Sequence, residues 1–173
     1  MILRSKSLGE IEVRDEAGIY LPDGLLGFEE LRQYVFLEPE EFRPFLWLVS
    51  TEEPEIGFAV ADPQLFWPGL YEVPLSDSDK DILDWQAGDQ LGVFVVVSVA
   101  EGGRKITANL KGPVVINSRN RLAKQVVVYN PAFSVRQPLI QPSTRVVATS
   151  LHGSTAEGSG AQGSTPVQRV SIG

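Results

Sequence analysis

Apolar residues in this chain fall in short runs separated by clusters of Gly, Pro, Asp and Glu. That pattern predicts strands and turns more than amphipathic helices. Ile2–Leu8 and Glu10–Arg14 flank a single Gly9, as a tight reversal or bulge requires. Ile19–Leu21 runs into Pro22-Asp23-Gly24, a turn signal. Tyr34–Leu37, Phe45–Val49 and Gly57–Ala61 carry β-branched and aromatic residues between charged or Pro-containing breaks. Leu91–Val99 is the strongest strand, because its valines are stiff at χ1 and disfavour a helix. Gly102-Gly103 predicts a two-residue hairpin loop leading into Lys105–Leu110. Pro113–Ile116 and Lys124–Tyr129 follow on either side of a polar turn.

Helical signals are few. Phe28–Gln33 reads as one turn or slightly more. Ser76–Trp85 is the best helix, with Ser76 or Ser78 as cap, acids in the first turn, and Ile82, Leu83 and Trp85 facing inward. The fold class is mainly β: a single small antiparallel β-barrel-like domain with one or two short helices over residues 1–145. Residues 146–173 are read as a flexible Gly/Ser-rich tail. From Leu151 to Gly173, 11 of 23 residues are Gly, Ser or Thr and none is aromatic, too little apolar area to offset chain entropy.

Composition removes several chemistries. The 173 residues contain no Cys and one His, which excludes thiolate zinc sites, a Cys nucleophile and a multi-His metal centre. His152 falls in the tail, where nothing rigid would position a general base. Asp77, Asp79 and Asp81 alternate like calcium ligands, but a calcium loop needs Gly and Glu where Ile82 and Gly88 stand. Phosphate loops, nucleophile elbows and dinucleotide fingerprints are absent from the sequence. The expectation is no catalytic residue, no metal and no cofactor. The N-terminal residues lack an apolar core behind their charges, so they do not read as a signal peptide. Leu91–Ala100 has about half the length of a membrane helix. A cytoplasmic monomer without membrane contact is expected.

Charge is unevenly distributed. Residues 1–90 hold 20 acidic and 6 basic side chains, whereas residues 91–173 hold 2 and 9. The plain explanation is solvated faces of one compact fold. A basic stretch at 104–145 also permits a nucleic-acid-binding barrel gripping phosphates through Arg104, Lys105, Lys111, Arg119, Arg121 and Lys124. Single-strand binders add aromatic platforms, yet 12 of the 15 aromatic residues lie in 1–90, among the acids. An acidic, aromatic surface suits a basic protein partner better. A small-molecule-binding barrel is a third, weaker possibility.

Three blocks, in order, carry a family resemblance. Pro22–Glu29 (PDGLLGFE) resembles the "GLPGFE" signature of the flagellar assembly factor FliW family, with Leu26 where that family commonly has Pro. Pro44–Pro63 (PFLWLVSTEEPEIGFAVADP) and Ile106–Val128 (ITANLKGPVVINSRNRLAKQVVV) are similar to two further blocks, and Arg136-Gln137-Pro138-Leu139 fits its ending. The resemblance implies a non-catalytic cytoplasmic protein with two protein partners and no direct contact with nucleic acid. One is flagellin, held before export. The other is CsrA, a translational regulator whose silencing of flagellin mRNA is relieved allosterically. The candidate partner-binding residues are Glu29, Glu52, Glu53, Glu55, Asp62, Phe66, Trp67, Tyr71, Glu72 and Asn109. For Asn109, a buried side-chain hydrogen bond is the competing explanation, and for the aromatic residues it is burial in the core.

Overall fold

A computed structural model describes residues 1–6 and 9–139. The predicted tail, the end of the predicted domain and His152 lie outside the described residues. Strands β1 (Ile2–Ser5) and β2 (Gly9–Glu12) form a hairpin in which Ser5 faces Gly9. The main sheet begins with β3 (Ile19–Tyr20), β4 (Gln33–Leu37), β5 (Leu46–Ser50) and β6 (Gly57–Ala61), each antiparallel to the next. The ten-residue β7 (Leu91–Ala100) then pairs with β6 through Val95 and Val96.

The other edge of β7 is covered by two successive strands. β8 (Lys105–Ala108) pairs with Val97–Ala100, and β9 (Val114–Asn117) pairs with Leu91–Phe94. The residues between them, 109–113, form a break that shifts the register. β10 (Ala123–Gln125) adds to β9 and β11 (Gln137–Pro138) adds to β8. The sheet curls until its two ends meet, where the Tyr20 amide donates to the Arg121 carbonyl at 3.0 Å. The result is a curled half-barrel.

Strand alternation explains where the core sits. Tyr34 and Phe36 point inside with Leu48, Val60, Val114 and Ile116, whereas Val35 and Val49 point outside. The β1–β2 hairpin covers that outer face with Leu3 and Val13, so β4 and β5 are buried on both sides. The outer face of β6–β8 is covered by residues from the β6–β7 connection and by Phe133 and Leu139. The outer face of β9–β10 is covered by Leu83, just past α1 (Asp77–Ile82).

Ser76 caps α1 in a capping box: its hydroxyl accepts the Asp79 amide at 3.1 Å, and Asp79 accepts the Ser76 amide at 2.9 Å. Burial works against the Asp79 charge, but hydrogen bonds from Lys124 and Ser76 outweigh it and hold the carboxyl below its ordinary range. The Lys124 ammonium lies 2.9 Å away, which pins the helix to β10.

Four expectations need correction. Phe28–Gln33 is a pair of turns, closed by Phe28 to Leu25 and Leu31 to Phe28 amide–carbonyl bonds, because the chain must re-enter the sheet at Gln33 opposite Tyr20. The β7–β8 loop has four residues, 101–104, since Ala100 pairs with Lys105; Glu101, Gly102 and Gly103 all take positive φ. The strand expected over Lys124–Tyr129 ends at Gln125, because beyond it the partner chain is the irregular 109–113 break. Trp85 is 38% exposed, its ring 5.7 Å from the Lys80 ammonium, because a single helical turn brings only Leu83 fully inward. Gly24, in the predicted turn, has φ +67°, and a side chain there would meet the Phe28 carbonyl oxygen at 2.6 Å.

The polar turn after β9 is locked from one buried side chain. Asn117 donates to the Leu83 carbonyl at 3.1 Å and to the Asp89 carboxylate at 2.7 Å, and accepts the Arg119 amide at 3.0 Å. Arg119 closes the network onto Asp89 at 2.8 Å and Asp84 at 3.1 Å. The Arg119 hydrogen bond is the main reason the Asp89 carboxyl is held at about 2. A depressed carboxyl contributes stability above its unfolded value, about 3.9, which is lost as pH falls through the folded value. Thermal melts at pH 5, 3.5 and 2 should therefore show that Asp89→Asn flattens the acid limb of the profile. An unchanged acid limb would disprove this role.

Candidate partner-binding surface

The candidate carboxylates divide by what they hold. Four of the six accept backbone amides. Glu29 accepts from Gly27 at 2.9 Å, Glu52 from Arg32 at 2.6 Å and Gln33 at 2.9 Å, Glu55 from Lys6 at 2.6 Å, and Asp62 from Gln64 at 2.8 Å. The bonds from Gln33 and Arg32 keep the Glu52 carboxyl below its ordinary range, and the Gly27 amide does the same for Glu29. These side chains fasten turns while remaining charged at the surface. Glu53 and Glu72 are exposed and make no ion pair among the described residues.

The candidates do not form one patch. Glu29, Glu52, Glu53 and Glu55 gather at the β3–β4 and β5–β6 turns. Asp62, Phe66, Trp67, Tyr71 and Glu72 lie on the connection leaving the far end of β6, about 13 Å away along that strand. This second group is a built loop. Asp62 caps a 3-10 turn at Pro63–Leu65, and the Gln64 side chain donates to the Tyr71 carbonyl at 3.0 Å while accepting the Gly69 amide at 2.8 Å. Tyr71 is only 3% exposed, and its hydroxyl donates to the Leu110 carbonyl at 2.8 Å. It anchors the loop and presents no ring to a partner. Asn109 is half-buried and accepts the Lys111 amide at 3.0 Å, which shapes the 109–113 break.

What the loop displays is apolar. Leu65 and Leu70 are exposed, and Phe66 and Trp67 are half-buried. Phe66 stacks on Phe45 at 6.2 Å to form a ridge, and exposed Phe42, one turn before Phe45, packs edge-on against Trp47 at 5.9 Å. Glu38, Glu40, Glu41, Asp62 and Glu72 belong to the same two segments, and only Arg43 offsets them, 3.4 Å from Glu38. Phe42, Phe45, Leu65 and Leu70 were not among the candidates. Their one sequence signal is the bulky apolar residue inside an acidic loop. A further constellation joins two of the sequence blocks: Gln125 accepts the Leu26 amide at 2.9 Å and donates to the Gly112 carbonyl at 3.0 Å.

Comparison with known proteins decides the family. The model of the "FliW protein" family matches residues 2–139. The chain belongs to the FliW family. A flagellar assembly factor FliW from Alkaliphilus metalliredigens is 34% identical over 142 residues, covering 82% of this chain and 87% of the relative. Its counterpart from Bdellovibrio bacteriovorus is 36% identical over 139 residues, covering 80% and 79%. A crystal structure of the flagellar assembly factor FliW superimposes with a TM-score of 0.73 at 31% identity, covering 81% of this chain and 97% of that one. The shared architecture is the half-barrel described above, and the FliW signature turn at Pro22–Glu29 is the segment that Gln125 ties to the last strand of the curl. Among the described residues no helix is long and apolar enough to cross a membrane.

Proposed function

We propose that this protein is a non-catalytic, cytoplasmic flagellar assembly factor that binds flagellin and the translational regulator CsrA. The observation that carries the reading is the apolar ridge Phe45–Leu65–Phe66–Leu70 within an acidic rim. A ridge of that kind fits a basic protein: apolar anchors supply affinity and carboxylates steer the encounter. Docked on an RNA-binding protein away from its RNA surface, the acidic rim also repels phosphates, which favours release of the message. Flagellin controls this only if its binding disfavours that of CsrA, since independent sites transmit nothing.

The test is a three-component pulldown at two salt concentrations, with this protein as bait, CsrA bound, and flagellin titrated. Retained CsrA should fall as flagellin rises. Simultaneous capture of both at full occupancy would remove the antagonism. In kinetic measurements with CsrA, Phe66→Ala and Trp67→Ala should raise the dissociation rate, at a cost of about 2 kcal/mol. Glu72→Gln should act mainly on association rate and its salt dependence, because exposed charges are screened over about 8–10 Å. Dissociation rates unchanged by both aromatic truncations would displace the ridge from the contact.

The nucleic-acid reading is weaker. Two of its six cations, Arg119 and Lys124, are already committed to Asp84, Asp89 and Asp79 within the fold. A gel shift with the protein alone distinguishes the two: tight RNA binding without CsrA would favour the barrel as an RNA binder.

A further inference from the structure

β10 ends at Gln125, but the chain beyond it stays tied to the sheet by two amides and carries main-chain groups that the fold leaves unused. The Val126 amide donates to the Pro113 carbonyl at 2.8 Å and the Val128 amide to the Lys111 carbonyl at 2.9 Å, both toward the sheet. Successive residues of an extended chain alternate their main-chain direction, so the N–H and C=O groups of Val127 and Tyr129 face outward. Among the described residues these groups make no hydrogen bond. Their side chains are open too: Val127 is 48% and Tyr129 90% exposed. Leu26, 64% exposed, flanks one end, its amide donating to the Gln125 side-chain oxygen. Lys111 and Arg136 flank the other, neither with an ion pair among the described residues. No acidic residue occurs from Gly102 to Arg136.

We propose that this edge binds an extended segment of a partner protein by strand addition, apolar residues toward Leu26 and carboxylates toward Lys111 and Arg136. Main-chain hydrogen bonds to an open edge supply affinity, and alternate side chains supply selectivity. The charges set the sign of the partner. A second copy of this chain would bring like charges together at the edge. The chain's own residues 140–173 hold two Arg and one Glu, a poor complement. A nucleic acid would use the cations but leave the alternating donors and acceptors of Val127 and Tyr129 idle. The Lys111 end of this surface adjoins the loop that carries the ridge, since Tyr71 bonds Leu110 and packs on Phe133, and in formal charge the surface is opposite to the ridge.

The test uses the full-length chain and a fluorescein-labelled octapeptide of alternating valine and glutamate, read by fluorescence anisotropy. Three competitors probe the chemistry: the same peptide with lysine for glutamate, the same peptide N-methylated at alternate residues, and a twelve-nucleotide oligouridylate. The glutamate peptide should bind saturably, with the lysine and N-methyl peptides weaker by about tenfold or more. Val127→Pro removes an N–H that has no internal partner, so it should weaken the glutamate peptide by a similar factor. Lys111→Glu with Arg136→Glu should weaken it and flatten its salt dependence. If Val127→Pro lowers the melting temperature, the N-methyl comparison on the unaltered protein decides. Equal affinity for the lysine or N-methyl peptide, no saturation up to millimolar peptide, or tighter binding of the oligouridylate would each overturn the proposal.

Discussion

Replacing Tyr71 by alanine should cost about 3–5 kcal/mol of unfolding free energy, the range for truncating a buried aromatic residue. The ring packs 4.9 Å from Phe133 within the cluster that covers β6–β8, and the hydroxyl satisfies the Leu110 carbonyl. Tyr71→Phe should cost about 1–2 kcal/mol, because it removes that one hydrogen bond and leaves a buried acceptor unpaired. Burial pushes the phenol far above its ordinary value, so it stays a donor at any physiological pH. Urea denaturation of both variants separates packing from hydrogen bonding. The consequence reaches the ridge: once the far end of the 62–71 loop is unpinned, Leu65 and Leu70 lose their fixed display, and under the proposed docking CsrA should dissociate faster from the alanine variant than from the phenylalanine variant. A cost below about 1 kcal/mol for the alanine variant would mean that Gln64 and Asp62 hold the loop without it.

Asn117→Ala is the second large effect, about 2–4 kcal/mol. Asn117 is fully buried, and alanine leaves the Arg119 amide without its acceptor while the Leu83 carbonyl and Asp89 Oδ2 each lose one of two donors, Asn120 and the Gln86 amide remaining. An unsatisfied buried polar group costs about 1–3 kcal/mol, and Arg119 and Asn120 still bind the same acidic loop, so the losses do not sum fully. Asn117→Asp should be at least as harmful, since it removes the two amide donors and sets a second carboxylate against Asp89. Thermal unfolding at pH 7 measures both. Two variants within about 0.5 kcal/mol of the unaltered protein would show that Arg119 and Asn120 hold the turn without Asn117.

Local signals were legible wherever one residue type forces one conformation. A helix cap at Ser76 or Ser78 was legible, and the structure selects Ser76, whose hydroxyl and the Asp79 carboxylate satisfy each other's amides. The valine run of β7 specified a strand through side-chain stiffness. Gly24 marked a turn, and the close backbone approach there is a finding of the structure. Phe28–Gln33 misled because its apolar spacing fits a single helical turn, whereas pairing of Gln33 with Tyr20 pulls the chain into the sheet. The functional candidates were legible as residue types and not as places. Tyr71 and Phe66 are both aromatic and five residues apart, yet one is an anchor inside and the other part of a ridge outside.

The sequence by itself determined that this chain is a mainly β domain without thiol, multi-His or nucleotide-loop chemistry, that its acids and aromatics share one half, and which family its three blocks resemble. These follow from composition and from short-range sterics, which need no knowledge of distant contacts. Tertiary structure alone decided which carboxylates are tied to amides and which are free, that β4 and β5 are buried on both faces, and that Leu26 meets Gln125 across 99 positions of chain. Those outcomes depend on how a twisted sheet curls and which loops fold back over it. Side-chain exposure and pairing are set by neighbours far apart in sequence, and no local pattern encodes them.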